Sequence, residues 1–195
     1  MARKSGRTWL YSDPHFYHRN IVKFTNYDGS PLRPWDDADK MTEEMIEWYN
    51  ELVHPDDRVY ILGDVAFTRR ALNESVPRLN GRKVLVKGNH DVDKLSYYAQ
   101  HFDDVRSYVV RKGFVLSHIP LHPDCLGRWG LNIHGHLHGN HITKPYINGS
   151  DTPKDDTYDS LNETVRDRRY RNVCVEQTNF RPILLDQVLH EEGLK

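Results

Sequence analysis

Carboxylate, amide and imidazole side chains follow five short apolar segments of the chain. The segments have the length of β-strands, and the polar residues that come after them include Asp13, Asp64, Asn89, His118 and His136. Ligands of α/β sheets bind beyond the carboxyl ends of the strands, so we expect these side chains to converge on one cleft. One such junction can arise by chance, but five in succession argue against coincidence.

The types of these side chains indicate a metal site. Mixed oxygen and nitrogen donors without thiolate suit Mn, Fe(II) or Zn. With His15 and His138 the set reaches seven ligands, which is too many for one tetrahedral zinc ion. Seven ligands suit two ions roughly 3.5 to 4 Å apart that share a bridging carboxylate and clamp the oxygens of a phosphoryl group. The ligand count therefore favours phosphoester hydrolysis.

Histidine is abundant, with 12 residues in a chain of 195. Six histidines lie between positions 118 and 141: His118, His122, His134, His136, His138 and His141. Histidine is the commonest metal ligand and the usual proton shuttle near neutral pH. A histidine-rich solvated loop is the alternative that composition alone leaves open.

The composition is that of a globular chain, with 37% hydrophobic and 28% charged residues and a net charge of −1. Its length predicts a single domain, residues 1–195, with a sizeable core. No apolar run approaches the roughly 18 residues of a membrane span. The basic residues 1–7 are not followed by a signal-peptide apolar region, so we expect a cytoplasmic protein without membrane contact. Two cysteines, Cys125 and Cys174, cannot form a disulfide scaffold.

The apolar patterning predicts an α/β or mixed α+β fold. Strands are predicted at residues 8–11, 59–62, 83–86, 105–111, 114–117, 131–133 and 173–175. Helices are predicted at residues 41–53, 71–79, 91–101 and 184–192, with the second shortened or kinked by Pro77. Residues 140–170 are polar, and we expect a long surface excursion there with a short helix near residues 161–168.

The polar blocks resemble, in order, the motifs of the calcineurin-like metallophosphoesterase superfamily. The blocks are Asp13-Pro14-His15, Gly63-Asp64, Gly88-Asn89-His90-Asp91, Ser117-His118 and Gly135-His136-Leu137-His138. They span residues 13–138, about two thirds of the chain. Residues 12–21 and 172–182 are also similar to a small bacterial and phage branch of uncharacterised phosphoesterases. The resemblance implies two packed β-sheets flanked by helices, a four-layer sandwich.

The resemblance also implies two divalent ions and their ligands. The first ion would be held by Asp13, His15 and His138. The second would be held by Asn89, His118 and His136, while Asp64 would bridge the two ions together with a water or hydroxide. Manganese is the metal we expect, with iron, zinc and nickel as alternatives.

Further roles follow from the same resemblance. His90 would lie near the leaving-group oxygen as a general acid, and Asp91 would orient His90 through a hydrogen bond. Asn89 is also a candidate for substrate binding, as is His18, which either contacts phosphate in the cleft or merely starts a helix. We expect His134 to pack inside a strand end or to support the ligands from behind.

The expected function is hydrolysis of phosphodiesters or phosphomonoesters by a dinuclear metal centre. The expected substrate is a small phosphoester such as a nucleotide, with residues 140–170 as a lid or specificity element. A nuclease is an alternative within the same class, which the near-zero net charge disfavours. The alternative from another class is a metal-bearing scaffold that has kept the site without turnover. The sequence leaves the oligomeric state open.

Overall fold

The computed structural model describes residues 6–147 and 157–194. In the first sheet, β1 (Thr8–Tyr11), β2 (Arg58–Ile61), β3 (Arg82–Val86) and β4 (Asp104–Arg106) run parallel. In the second sheet, β5 (Tyr108–Arg111) pairs antiparallel with β6 (Phe114–Ser117), and β6 runs parallel to β7 (Leu131–His134). A separate hairpin joins β8 (Thr143–Pro145) to β9 (Thr164–Arg166).

Two later strands complete the two large sheets. The strand β10 (Tyr170–Asn172) runs parallel to β7, which gives the second sheet the order β10-β7-β6-β5. The strand β11 (Ile183–Leu184) pairs antiparallel with β1, which gives the first sheet the order β11-β1-β2-β3-β4. The five strands that are followed by predicted ligands therefore belong to both large sheets, and their carboxyl ends lie on the same side of the fold.

Four α-helices accompany the sheets in the described residues: α1 (Ala38–Leu52), α2 (Arg69–Ser75), α3 (Leu95–Tyr98) and α4 (Leu185–Glu191). Asp37 begins α1 by accepting a hydrogen bond from the Lys40 amide at 2.6 Å, as expected for an N-cap. After α2 the chain continues as a short 3₁₀ turn that contains Pro77, because proline cannot supply the amide that a longer helix needs.

Two hydrophobic layers hold these elements together. The first lies between the helices and the first sheet, where Met41, Met45 and Tyr49 of α1 pack on Val59 and Ile61 of β2. The second lies between the sheets and contains side chains from both of them, Leu10, Tyr60, Leu62, Val84, Val86, Val109, Phe114, Leu116, Leu131 and Ile133. Because side chains alternate along a strand, β2 contributes to both layers. The expected fold of two packed sheets flanked by helices is confirmed.

Several predicted elements differ from the structure. The helix expected at residues 91–101 is limited to α3. The helix expected near residues 161–168 is wrong, because this segment contains β9 with Val165 buried. The strand expected at residues 173–175 is also wrong, since β10 ends at Asn172 and a 3₁₀ turn begins at Val175. Residues 148–156 of the predicted excursion lie outside the described residues.

No helix in the described part of the chain combines the length and the apolar content that crossing a bilayer requires.

Candidate metal centre

The predicted ligands converge where β1, β2 and β3 of the first sheet and β6 and β7 of the second sheet end. One set, which we name the Asp13 group, consists of Asp13, His15 and His138. A second set, the Asp64 group, consists of Asp64, His118 and His136. Within each set the ligand atoms lie within 4.8 Å of one another. The structure thus brings together six of the seven predicted ligands in two triads.

The two carboxylate oxygens of Asp13 differ in their hydrogen bonding. Its Oδ2 accepts hydrogen bonds from the Ser12 hydroxyl at 2.5 Å, the His136 amide at 2.9 Å and the Cys174 thiol at 3.2 Å. Its Oδ1 is buried and has no hydrogen-bond partner among the described residues. A buried carboxylate oxygen without a partner costs free energy, and a bound cation would offset this cost.

Asp64 lies between the two groups. Its Oδ1 accepts a hydrogen bond from the His90 amide at 2.9 Å, which fixes the carboxylate. Its Oδ2 lies 3.4 Å from His118 Nε2 and 3.8 Å from His15 Nε2, so imidazole nitrogens of both groups approach the same oxygen. This is the position that a carboxylate shared by two ions needs.

Three of the ligand histidines differ in how their rings are held. His138 Nδ1 lies 3.0 Å from Glu176 Oε1, and His118 Nδ1 lies 2.7 Å from the Leu62 carbonyl oxygen. Metal-ligating histidines characteristically bond their second nitrogen to a carboxylate or a carbonyl in this way, which leaves Nε2 for the ion. In contrast, both ring nitrogens of His15 are buried and have no hydrogen-bond partner among the described residues.

Asn89, the seventh predicted ligand, lies beside the Asp64 group. Its Oδ1 is 2.8 Å from His118 Nε2, so both atoms point into the same space. The amide oxygen and the imidazole nitrogen can bind one ion together. Asn89 is exposed, unlike Asp64 and His118, and it forms the solvent side of this group.

Backbone conformations of the left-handed region are concentrated in the site. Nine non-glycine residues of the described chain have a positive φ, and five of them are predicted ligands: Asp13, His15, Asp64, His136 and His138, with φ between +49° and +71°. Such conformations cost free energy outside glycine and persist where the surrounding structure enforces them, typically at functional sites. The loops therefore adopt strained backbone conformations that direct these side chains into the site.

Two glycines of the motifs allow the loops to approach closely. A Cβ atom on Gly135 would collide with Ser12 Oγ and Asp13 Oδ2, and a Cβ atom on Gly88 would collide with Asp64 Oδ1. Glycine therefore precedes the ligand at these junctions because the neighbouring carboxylate occupies the space of a side chain.

His90 and His18 stand at the opening of the site around Phe67. The ring centroids of Phe67 and His18 are 4.2 Å apart, and those of Phe67 and His90 are 4.3 Å apart. His90 Nε2 lies 4.0 Å from Asp64 Oδ2, and 44% of the His90 side chain is exposed. His90 is thus close to the Asp64 group and open to solvent, as a proton donor to a substrate must be. No motif or spacing in the sequence indicated Phe67 as part of the site.

Asp91 contacts backbone rather than the His90 ring. Its Oδ2 accepts hydrogen bonds from the amides of Asp64 at 2.9 Å and Gly88 at 2.8 Å, and its Oδ1 accepts one from Val65 at 3.2 Å. The carboxylate therefore ties the loop after β2 to the loop after β3. This contact replaces the predicted hydrogen bond to His90, and it makes Asp91 a positioning residue for both loops.

Arg33 and Glu176 support the Asp13 group from the inside, and the sequence reasoning missed both. Arg33 is 1% exposed and donates to the carbonyl oxygens of Asp13 and Pro14, each at 2.7 Å. Its guanidinium also forms an ion pair with Glu176 at 2.7 Å, and Glu176 in turn holds His138. A signal existed for Glu176, because the segment around it is part of the resemblance noted above, whereas nothing near Arg33 marks it.

The charges of the two groups are balanced differently. Burial raises the pKa of Asp13, and burial lowers the pKa of His15 well below its usual value. Burial acts against the charged forms of Asp64 and His118 as well, but their mutual hydrogen bond and attraction outweigh it. They leave the pKa of Asp64 lowered and raise the pKa of His118 to about 9. His118 therefore attracts the carboxylates of both groups, whereas in the Asp13 group it is Glu176 that raises the pKa of His138 against the effect of burial.

The other predicted residues have plain structural roles. His134 is fully buried, and its Nδ1 lies 2.8 Å from the Gly135 carbonyl oxygen. It therefore packs at the end of β7, which is the first of the two roles predicted for it. In the arginine-rich segment at residues 166–171, Arg169 pairs with Asp167 and Arg171 pairs with Glu191. These ion pairs balance part of the positive charge of the segment.

The fold and the site together define a protein of two packed sheets with an aspartate and histidine cluster at one edge. No model of a known protein family matches the chain. The chain is 31% identical over 187 residues to the uncharacterized protein MJ1445 of Methanocaldococcus jannaschii, an alignment that covers 94% of this chain and 89% of the relative. The chain therefore belongs to the same protein family as this archaeal protein.

A solved structure shares the fold. The crystal structure of the protein of unknown function AQ665 from Aquifex aeolicus matches with a TM-score of 0.62 and 24% identity. The match covers 95% of this chain and 99% of that chain. At this level of identity the likeness establishes the common fold alone.

Proposed function

We propose that the protein is a phosphoesterase of the calcineurin-like metallophosphoesterase superfamily that uses two divalent metal ions, manganese first among them. The observation that carries the proposal is Asp64 Oδ2, which lies 3.8 Å from His15 Nε2 and 3.4 Å from His118 Nε2, between two triads of metal ligands. A single structural zinc ion would not require a carboxylate shared in this way.

The chain offers each ion a set of ligands. Asp13, His15 and His138 would hold one ion, Asn89, His118 and His136 the other, and Asp64 both. Two bound ions would activate a water molecule for attack on phosphorus and neutralise charge on the phosphoryl oxygens. Glu176 and the Leu62 carbonyl keep the rings of His138 and His118 in the orientation that exposes Nε2.

His90 would supply the proton that the leaving-group oxygen needs. Its ring is the imidazole next to Asp64 that reaches solvent, and no role in holding an ion is assigned to it. Phe67 packs against this ring and against His18, and so limits the orientations that His90 can adopt. His18 would contact the phosphoryl group from the same side.

A cavity beside the Asp13 group suits a small substrate. It has a volume of about 470 Å³, borders Glu176 and Gly139 next to His138, and extends to Tyr27, whose side chain is 97% exposed. A volume of this size is typical of small-molecule sites. The net charge of −1 disfavours a long nucleic acid, so the proposed substrate is a compact phosphoester such as a nucleotide.

The test is hydrolysis of an aryl phosphodiester and an aryl phosphomonoester with added Mn²⁺ by the wild type and two variants. Asp64→Asn should lower turnover by more than about 100-fold and reduce the bound metal, because the shared charge is lost. His90→Ala should lower turnover by about 10²- to 10⁴-fold while metal content stays unchanged. Matched controls are Asp56→Asn, an exposed turn aspartate, and His190→Ala, an exposed histidine of α4.

Two results would contradict the proposal. Turnover that is unaffected by both Asp64→Asn and His90→Ala would show that the chemistry lies elsewhere or is a contaminant. Two bound ions without hydrolysis of either ester class would favour the metal-bearing scaffold instead.

A further inference from the structure

We propose a second ligand site, for a phosphoryl-bearing small molecule, between the two sheets on the side of β4 and β5. Arg58, Arg82 and Arg111 lie at the strand ends away from the metal ligands, whereas Arg106 lies beside Val86. The site is a cavity of about 570 Å³, and four arginines line it: Arg58, Arg82, Arg106 and Arg111. We name it the arginine cavity. Nothing in the proposed hydrolysis involves it.

The position of the cavity follows from the strands. Arg58 and Arg82 are the first residues of β2 and β3, whereas the metal ligands follow the last residues of these strands. At about 3.3 Å per residue, Arg58 lies roughly 20 Å from Asp64 along the chain. Tyr60 and Val84, two residues further along, face the layer between the sheets, so Arg58 and Arg82 project to the same side.

The two strand-end arginines form an uncompensated pair of like charges. Arg58 and Arg82 are register partners on neighbouring strands. Like charges placed side by side on a sheet are destabilising. Within residues 6–147 and 157–194, neither guanidinium has a hydrogen-bond or ion-pair partner. An anion between them would remove the repulsion and accept their hydrogen bonds.

Both carboxylates in the cavity wall accept hydrogen bonds, and one of them is paired with a cavity arginine. Asp103 Oδ2 accepts a hydrogen bond from the Lys83 amide at 2.8 Å. Asp104 Oδ2 pairs with Arg106 at 2.7 Å, and its Oδ1 accepts the Val105 amide at 2.9 Å. Four guanidinium groups therefore face two carboxylates that are already hydrogen-bonded, and the cavity keeps a positive excess.

The remaining arginine is held in place at the wall. Arg111 Nη2 donates a hydrogen bond to the Tyr60 hydroxyl at 2.9 Å, and Arg111 Nη1 donates to the Val110 carbonyl oxygen at 2.9 Å. This leaves the guanidinium ordered before a ligand arrives, which reduces the entropy that binding costs. Tyr108, at the edge of the cavity and 57% exposed, adds an aromatic surface.

The ligand class follows from this chemistry. The planar guanidinium fork matches phosphate oxygens in two-point hydrogen bonds. The volume lies in the range of small-molecule sites, and the aromatic edge suits a base or another flat group. The common requirement is a phosphoryl group, which either a nucleotide or an inorganic polyphosphate can supply.

Calorimetric titration with pyrophosphate, AMP and adenosine tests the site on the full chain at fixed ionic strength. Pyrophosphate or AMP should bind, and Arg58→Gln and Arg82→Gln should each weaken binding by about tenfold or more, as the loss of a charge-assisted hydrogen bond predicts. Arg128→Gln, an exposed arginine in another part of the fold, should leave binding within about twofold.

Repeating the titrations in the Asp64→Asn background separates the arginine cavity from the metal centre. The effect of the arginine substitutions should persist there. AMP binding more tightly than pyrophosphate would identify a nucleotide as the ligand, and the reverse order would identify a polyphosphate, and both support the site. Absence of binding by the wild type at millimolar concentration, or equal binding by the double variant Arg58→Gln/Arg82→Gln, would overturn it.

Discussion

The Asp13 group and the Asp64 group contain similar side chains but are supported in different ways. Behind the Asp13 group lie Arg33 and Glu176, both buried side chains that contact the first loop and His138. Behind the Asp64 group lie backbone carbonyl and amide groups of the loops, with Asp91 as the bridge between them. The first group is supported by buried side chains from distant parts of the chain, whereas the second is supported mainly by backbone groups of the neighbouring loops.

The two groups also differ in their need for a cation. Asp64 Oδ2 lies 3.4 Å from His118 Nε2, and their attraction lowers the pKa of Asp64 and raises the pKa of His118. Asp13 Oδ1 and the two ring nitrogens of His15 are buried and have no hydrogen-bond partner among the described residues. We therefore expect metal binding to the Asp13 group to increase the stability of the fold, and metal binding to the Asp64 group to affect mainly catalysis. Each prediction below tests this division.

The largest effect is expected from removing the buried cation of Arg33. Arg33→Met removes the buried ion pair between Arg33 and Glu176. It also leaves the carbonyl oxygens of Asp13 and Pro14, in the loop after β1, without their donor. The free energy of unfolding should therefore fall by about 3 to 5 kcal/mol. Denaturant unfolding of both proteins measures it. The control Arg181→Met removes an ion pair with Glu51 that is exposed, and should change stability by less than about 1 kcal/mol. Equal losses of unfolding free energy in Arg33→Met and Arg181→Met would show that the buried Arg33 does not give the Asp13 group special support.

The next effect concerns the metal affinity of the Asp13 group. Glu176→Gln keeps the shape of the side chain but weakens the acceptor that orients His138, so metal affinity should fall by about 10- to 100-fold. Titration of Mn²⁺ into the variant, resolved into two binding steps, measures it, and only one step should weaken. Glu47→Gln on the exposed face of α1 is the matched control. Weakening of both steps to the same extent would mean that the two groups are not separable.

Local signals explain which parts of this site could be predicted. The five polar blocks each follow a strand directly, so the sequence order of apolar run, glycine and ligand contains most of the information about Asp64, Asn89 and His136. Arg33 is different, because its partner Glu176 lies 143 positions away. Cys174, which donates to Asp13 Oδ2 from 161 positions away, is of the same kind. Contacts of this range leave no periodicity in the sequence.

Strand positions late in the chain were unpredictable for a related reason. β9 exists because it pairs with β8, and β10 because it pairs with β7, so their bounds depend on partners rather than on local composition. Val173 makes the last hydrogen bond to β7, from its amide to the His134 carbonyl oxygen at 2.8 Å, whereas Val175 donates its amide to the Ser12 carbonyl oxygen at 3.0 Å. That turn is what brings Glu176 to His138.

The smallest effect on stability is expected at Asn89, on the solvent side of the Asp64 group. Asn89→Ala removes an exposed amide, while His118 keeps its contacts with the Leu62 carbonyl oxygen and with Asp64. The free energy of unfolding should therefore change by about 0.5 kcal/mol or less, the usual range for surface positions. Binding of one metal ion should still weaken, because an oxygen ligand is lost, and turnover should fall with it.

Asn73→Ala is the matched control for this substitution, since Asn73 is also exposed and its side-chain oxygen accepts one hydrogen bond, from the Tyr97 hydroxyl at 2.6 Å. It should change neither metal binding nor turnover. A loss of about 2 kcal/mol or more for Asn89→Ala, several times the surface range, would mean that the Asp64 group contributes to the stability of the fold as the Asp13 group does. Retention of both metal-binding steps would instead remove Asn89 from the ligand set and leave the Asp64 group with three protein ligands.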